Sequence, residues 1–219
     1  MRALQFSLLI LPFVVACGGA QAAPPATANA ASAPNAAPAS AAQSAPPPSI
    51  AVTAEMGSPH PGDPAPEIEG LDQSGNTVKL SAMKGSVVVL AFVTSWCPFS
   101  AAEQPHLAQL GRDYAGKNVK VLAVALKENA ANYKKYMDRV AMPFPVLHDE
   151  DGALAKLYTP VNAQPNVKDR ASVIVTSNLV IDPQGTIQFF TLVDTAHFDA
   201  ELINVRHEVD ALLAKAGGS

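Results

Sequence analysis

The residues best suited to chemistry lie in one stretch, Thr94-Ser95-Trp96-Cys97-Pro98-Phe99-Ser100, followed by Glu103. Cys97 is a nucleophile if its surroundings hold it as thiolate. A β-branched apolar run precedes the segment, and Pro98 suits the first position of a helix, so Cys97 falls where a strand hands over to a helix N-terminus. A sulfur placed there faces backbone N–H groups without intrahelical partners and the positive end of the helix dipole, and both favour the thiolate. Trp96 can shield one side of the sulfur, and Ser100 carries a hydroxyl able to donate to it. Glu103, two helical turns in, is the nearest carboxylate and reads equally as a proton carrier or a solvated helix residue. The plainer reading of Cys97, a small buried hydrophobe, gives no reason for this placement between Trp96 and Pro98.

The elements that must position these residues can be read from periodicity. Glu67 to Leu71 and Thr77 to Leu80, around the turn Gln73-Ser74-Gly75-Asn76, form a small hairpin. Ser86 to Val93 is a continuous apolar run that reads as a strand buried on both faces. A helix follows from near Pro98 to a stop at Gly111, then a second buried strand from Asn118 to Leu126 and a helix from Asn129 to Val140. Asp151 to Tyr158 is a short helix. Val173 to Ile181 and Thr186 to Val193 are strands joined by the reverse turn Asp182-Pro183-Gln184-Gly185. A last helix runs from about Phe198 to Lys215. This order predicts an α/β layer fold with parallel central strands and an antiparallel edge pair.

The 219 residues carry a net charge of -4, which argues against a nucleic-acid surface. Charge is unevenly spread: before Glu55 the sole charged residue is Arg2, and from Ala20 to Ala54 alanine and proline fill 23 of 35 positions. Residues 18–54 cannot bury enough apolar surface to offset the entropy of ordering, so they read as a disordered linker with a reach of roughly 35 Å. Ahead of it, Met1-Arg2 and the apolar run Ala3 to Ala16 have the order of a secretory signal. The five histidines, His60, His106, His148, His197 and His207, have no metal-site spacing, and no cofactor or metal is expected. Lys127, Glu128 and the pair Lys134-Lys135 read as solvated helix surface.

Two resemblances follow from these residues. Val14-Val15-Ala16-Cys17 resembles the lipobox of bacterial lipoproteins, which implies a signal peptide over 1–16, cleavage before Cys17 and lipidation of Cys17. An ordinary signal peptide cut near Ala23 is the other reading. A lipidated Cys17 would leave Cys97 unpaired and residues 17–58 as a tether to a membrane of the bacterial envelope, facing the periplasm, with the outer membrane as one location. The body, from about Gly62 to Lys215 within a domain placed at 59–219, resembles the thioredoxin-like redoxins of the TlpA type and the neighbouring AhpC/TSA peroxiredoxins. The carriers are the Gly62-Asp63-Pro64-Ala65-Pro66 lead-in, the strand before Trp96-Cys97-Pro98, Glu103 and Pro105, Phe144-Pro145-Val146-Leu147 with Asp149, and Leu179-Val180-Ile181-Asp182 ahead of Gly185. The resemblance implies a thioredoxin-like α/β fold, a central mixed sheet with helices on both faces, preceded by the linker.

The departures bear on the reaction. The second cysteine of Trp-Cys-x-x-Cys is Ser100, so no intramolecular disulfide can close. The buried acid of thioredoxins falls on Ala91, and the residue opposite the active cysteine aligns at Thr176, with Pro165 as the alternative and Arg170 as the nearest arginine. Thr94 sits where peroxiredoxins carry a threonine, yet their upstream proline is Leu90. Three functions remain open: single-thiol exchange with disulfide-bearing envelope proteins, a one-cysteine peroxidase acting on peroxide, and a binding module that keeps the fold without catalysis. The first two need an external thiol reductant.

Overall fold

The computed structural model describes residues 50–217; Cys17, its signal and most of the segment read as linker lie outside them. The strands begin with β1 (Ile50–Ala51), β2 (Glu69–Leu71), β3 (Thr77–Lys79) and β4 (Val87–Val93). Next come α1 (Pro98–Asp113), β5 (Val119–Leu126), α2 (Ala130–Arg139) and β6 (Val146–Asp149). The chain closes with α3 (Ala153–Leu157), β7 (Ser177–Ile181), β8 (Ile187–Leu192) and α4 (Ile203–Gly217). One mixed sheet has the order β1-β8-β7-β4-β5-β6, and β2 with β3 forms a separate hairpin. β4 and β6 pair parallel to β5, whereas β7, β8 and β1 continue antiparallel.

β4 is central, and every one of its seven residues is buried. Alternation sends Val88, Leu90 and Phe92 to one face, against Ile68 of the hairpin side, Tyr158 and Ile174. Val87, Val89, Ala91 and Val93 go to the other, under Leu107 and Leu110 of α1, Tyr136 of α2 and Val205 and Val209 of α4. Each such aliphatic or aromatic side chain contributes roughly 1.5–3 kcal/mol on leaving water. This two-faced core clamps the C-terminal end of β4, and the chain can only continue from there into the Thr94–Cys97 turn.

Four boundaries differ from the sequence expectation, each for a physical reason. Ile50 and Ala51, within the stretch read as linker, pair with Leu192 and Thr191 at the sheet edge. α1 does not stop at Gly111. A Cβ there would sit 2.6 Å from the Phe144 ring, so that glycine serves close packing rather than helix termination. The β-branched run Val173-Ile174-Val175 is not strand: Arg170–Ile174 forms a 3-10 turn, Thr176 takes φ 56°, and β7 starts only at Ser177. Phe198 likewise precedes α4 rather than opening it. Leu202 takes φ 58°, and the Asp199 carboxylate accepts from the Ile203 and Asn204 amides, fixing the helix start at Ile203.

Candidate active site

Cys97 is the N-cap residue of α1, extended at φ -92° and ψ 123°, with Pro98 in the first turn. Its sulfur is partly exposed and rests on the core face that includes Phe92 and Ile174. The turn that delivers it is tied from three sides. Thr94 Oγ1 accepts from the Cys97 amide at 3.2 Å, the Thr94 amide donates to Ser100 Oγ at 2.9 Å, and Gln104 Nε2 donates to the Thr94 carbonyl at 3.1 Å. Thr94, Ser100 and Gln104 are all buried. Ser100 braces the turn by accepting from the Thr94 amide, and among the described residues it makes no bond to Cys97. Trp96 projects outward, 53% exposed, beside the sulfur.

Thr176 faces Cys97. Its hydroxyl donates to Sγ at 3.6 Å, and the side chain is itself buried. A β-branched residue at positive φ is strained, and such strain concentrates where a side chain must be held for function. Pro165 is exposed, and the Arg170 guanidinium is held by the Pro160 and Gln164 carbonyls. Of the three candidates for the position opposite the sulfur, the chain brings up the threonine.

Glu103 is 1% exposed, so it is not a solvated helix residue. Asn178 Nδ2 donates to one carboxyl oxygen at 3.0 Å, while the other has no partner among the described residues. Burial pushes the pKa up to about 8; the Asn178 bond works against this and the Asp199 charge adds to it. Asn178 pairs across the strands with Ala91, the position where a buried acid was expected and missing. The carboxyl that β4 lacks is thus brought to the same place by α1. A cavity of about 20 Å³, enough for one water, connects Glu103 and Asn178 with Thr176 and opens toward Asp194 and His197.

Glu128 corrects the sequence expectation. It is 1% exposed, with Oε1 accepting from the Ser95 amide at 2.5 Å, so it pins the residue two before Cys97 instead of solvating a helix. Its carbonyl meets His148 Nε2 at 2.5 Å, and that ring stacks on Tyr133 at 4.5 Å. Both Glu128 and Asn178 have a visible signal: each is a polar residue in or shortly after a strand of mostly apolar residues. Asn129, which accepts from the Asn132 amide, caps α2, so Glu128 lies just ahead of the helix rather than on its surface.

Known proteins resemble this chain. It is 36% identical to the thiol-disulfide oxidoreductase ResA of Oceanobacillus iheyensis over 103 residues, 44% of this chain and 53% of that one. It is 30% identical to ResA of Bacillus subtilis over 108 residues, 49% of this chain and 60% of the relative. The chain thus spans little more than half the length of these relatives. Among solved structures, a provisionally assigned thiol:disulfide interchange protein DsbE from Chlorobium tepidum matches with a TM-score of 0.56 at 28% identity, covering 70% of this chain and 97% of that one. The thioredoxin domain of a thiol-disulfide oxidoreductase from Bacteroides vulgatus matches at 0.53 with 20% identity, over 69% and 99%. The fold is thioredoxin-like, as the sequence resemblance implied. The family model described as AhpC/TSA matches residues 61–190, which hold both Cys97 and Thr176, and the chain belongs to the AhpC/TSA family.

Proposed function

We propose that this protein is a thiol-disulfide oxidoreductase that works through one thiol, Cys97, and is tethered to the bacterial envelope through Cys17. The observation that carries the reading is the half-exposed Cys97 sulfur at the α1 N-terminus with the Thr176 hydroxyl aimed at it. The Cys97 thiolate attacks one sulfur of a client disulfide, a Cys97–client disulfide forms, and the other client sulfur leaves as thiolate. With Ser100 buried in the brace, the adduct waits for an external thiol, which attacks it and returns Cys97 as thiolate. The likeness to ResA and to the DsbE-type structure supports exchange as the reaction class. The engagement of Arg170 with two carbonyls supports exchange over peroxide attack, which draws on a cation at the sulfur.

The test is mass spectrometry of the reduced protein after exposure to glutathione disulfide and, separately, to hydrogen peroxide. Exchange predicts a single glutathione adduct on Cys97 that an added thiol removes, absent in Cys97→Ser. Rapid sulfenylation of Cys97 with turnover of peroxide, and no adduct, would overturn it in favour of the peroxidase. The tether is tested by metabolic labelling with a fatty-acid analogue, expected in the wild type and lost in Cys17→Ala; an unlabelled wild type removes the anchor.

A further inference from the structure

Beside the Cys97 turn lies a groove walled by Ser95, Trp96, Asn132, Lys135, Tyr136 and Arg139. Two observations there are unused by the exchange reaction. Lys135 and Arg139, one turn apart on α2, are exposed and make no ion pair among the described residues, although neighbouring Lys134 is bound to Asp138 and the chain as a whole is acidic. Trp96, the residue before the nucleophile, presents an exposed ring to the same space. An adjoining depression shares Ser95 and Arg139 and adds Arg112, so positive charge continues along the α1 side.

Two cations spaced by one turn suit a carboxylate, whose two oxygens can take bonds from both. The acidic group nearest this wall, Glu128, has one oxygen committed to the Ser95 amide, and its other oxygen is buried without a partner among the described residues. Asp138 is held by Lys134. We propose that this groove is a client subsite that selects an acidic side chain close to the client cysteine, its carboxylate bridging Lys135 and Arg139 while the adjacent chain packs on Trp96. The proposal rests on the exchange reading, since it places the client during attack by Cys97.

The test uses three short peptides, each with one cysteine activated as its neutral 2-pyridyl disulfide and flanked by glutamate, glutamine or lysine. Release of 2-thiopyridone by the reduced protein reports the rate. The subsite predicts that the glutamate peptide reacts at least about fivefold faster than the lysine peptide at low salt, with the difference shrinking as salt is added. In Lys135→Ala/Arg139→Ala the preference falls below about twofold while the glutamine-peptide rate is retained. Equal rates for the three peptides with the wild type overturn the subsite and leave exchange standing. A preference undiminished in the double variant overturns the assignment to these residues. If no peptide reacts, the exchange reading fails and the subsite with it.

Discussion

The Thr176 hydroxyl donates to Cys97 Sγ at 3.6 Å across 79 residues of sequence, from a backbone held at φ 56°. The strained threonine is the means by which the 3-10 turn before β7 presents a donor to the nucleophile. Thr176→Val, which keeps shape and loses the hydroxyl, should slow attack of Cys97 on a disulfide by about three- to tenfold, the range of one ordinary hydrogen bond. Thr176→Gly should slow it similarly. Its thermal stability should nonetheless stay within about 1 kcal/mol of wild type, because relief of strain offsets lost packing. Stopped-flow exchange and denaturant unfolding check the two halves.

Ser100 braces the turn through the Thr94 amide and supplies no second thiol. Ser100→Cys should convert a long-lived mixed disulfide into a transient one, since a thiol would sit three residues from the attacked sulfur. The expected outcome is loss of the stable glutathione adduct and appearance, by mass spectrometry, of an intramolecular disulfide between Cys97 and the introduced thiol. The weaker acceptor should cost about 1 kcal/mol of stability.

Glu103 gives a stability that depends on pH with a definite sign. Its ordinary value is 4.5 and burial raises it to about 8, so between these limits the folded chain keeps a proton that the unfolded chain has lost. Stability from this group is therefore complete below about 4.5, falls as pH rises to about 8 and is flat above. Glu103→Gln, which can still accept from Asn178, removes this slope. The melting temperature of the variant minus that of the wild type should grow across that window by several degrees, on the order of 5 °C or more. A constant difference from acid to alkaline pH would show that Glu103 titrates normally.

Glu128→Ala strands the Ser95 amide next to the nucleophile, and a loss of about 1–3 kcal/mol is expected in chemical denaturation. Glu128→Gln keeps an acceptor oxygen and should recover most of it. Slower exchange in the alanine variant alongside near-normal exchange in the glutamine one would mark the residue as holding the turn rather than supplying charge.

How far these features could be read in advance depends on whether their cause is local. The apolar run of β4 and the proline after Cys97 are local signals, and both elements stand where they were expected. Gly111 misled because its role lies in Phe144, more than thirty residues away, and not in its own helix. Val173-Ile174-Val175 has the composition of a strand, yet the need to bring Thr176 to the sulfur turns the backbone the other way. The site divides similarly. Cys97 and Trp96 announced themselves through neighbours in sequence, whereas the buried state of Glu103 is set by Asn178 and that of Glu128 by Ser95, contacts that only the folded sheet creates.

β1 carries one more implication. It enters the sheet with Ile50 against Leu192, and Thr191 lies opposite Asn178, itself paired with Ala91 near the end of β4 that leads to Cys97. The first described residue and the reactive sulfur therefore occupy the same pole of the molecule, with β1 three strand spacings, about 14 Å, across from β4. Any pull transmitted from upstream acts on that pole and orients it toward its source. A copy tethered through that segment would keep the Cys97 pole nearer its point of attachment than the opposite pole, so disulfides on that surface would lie within its reach.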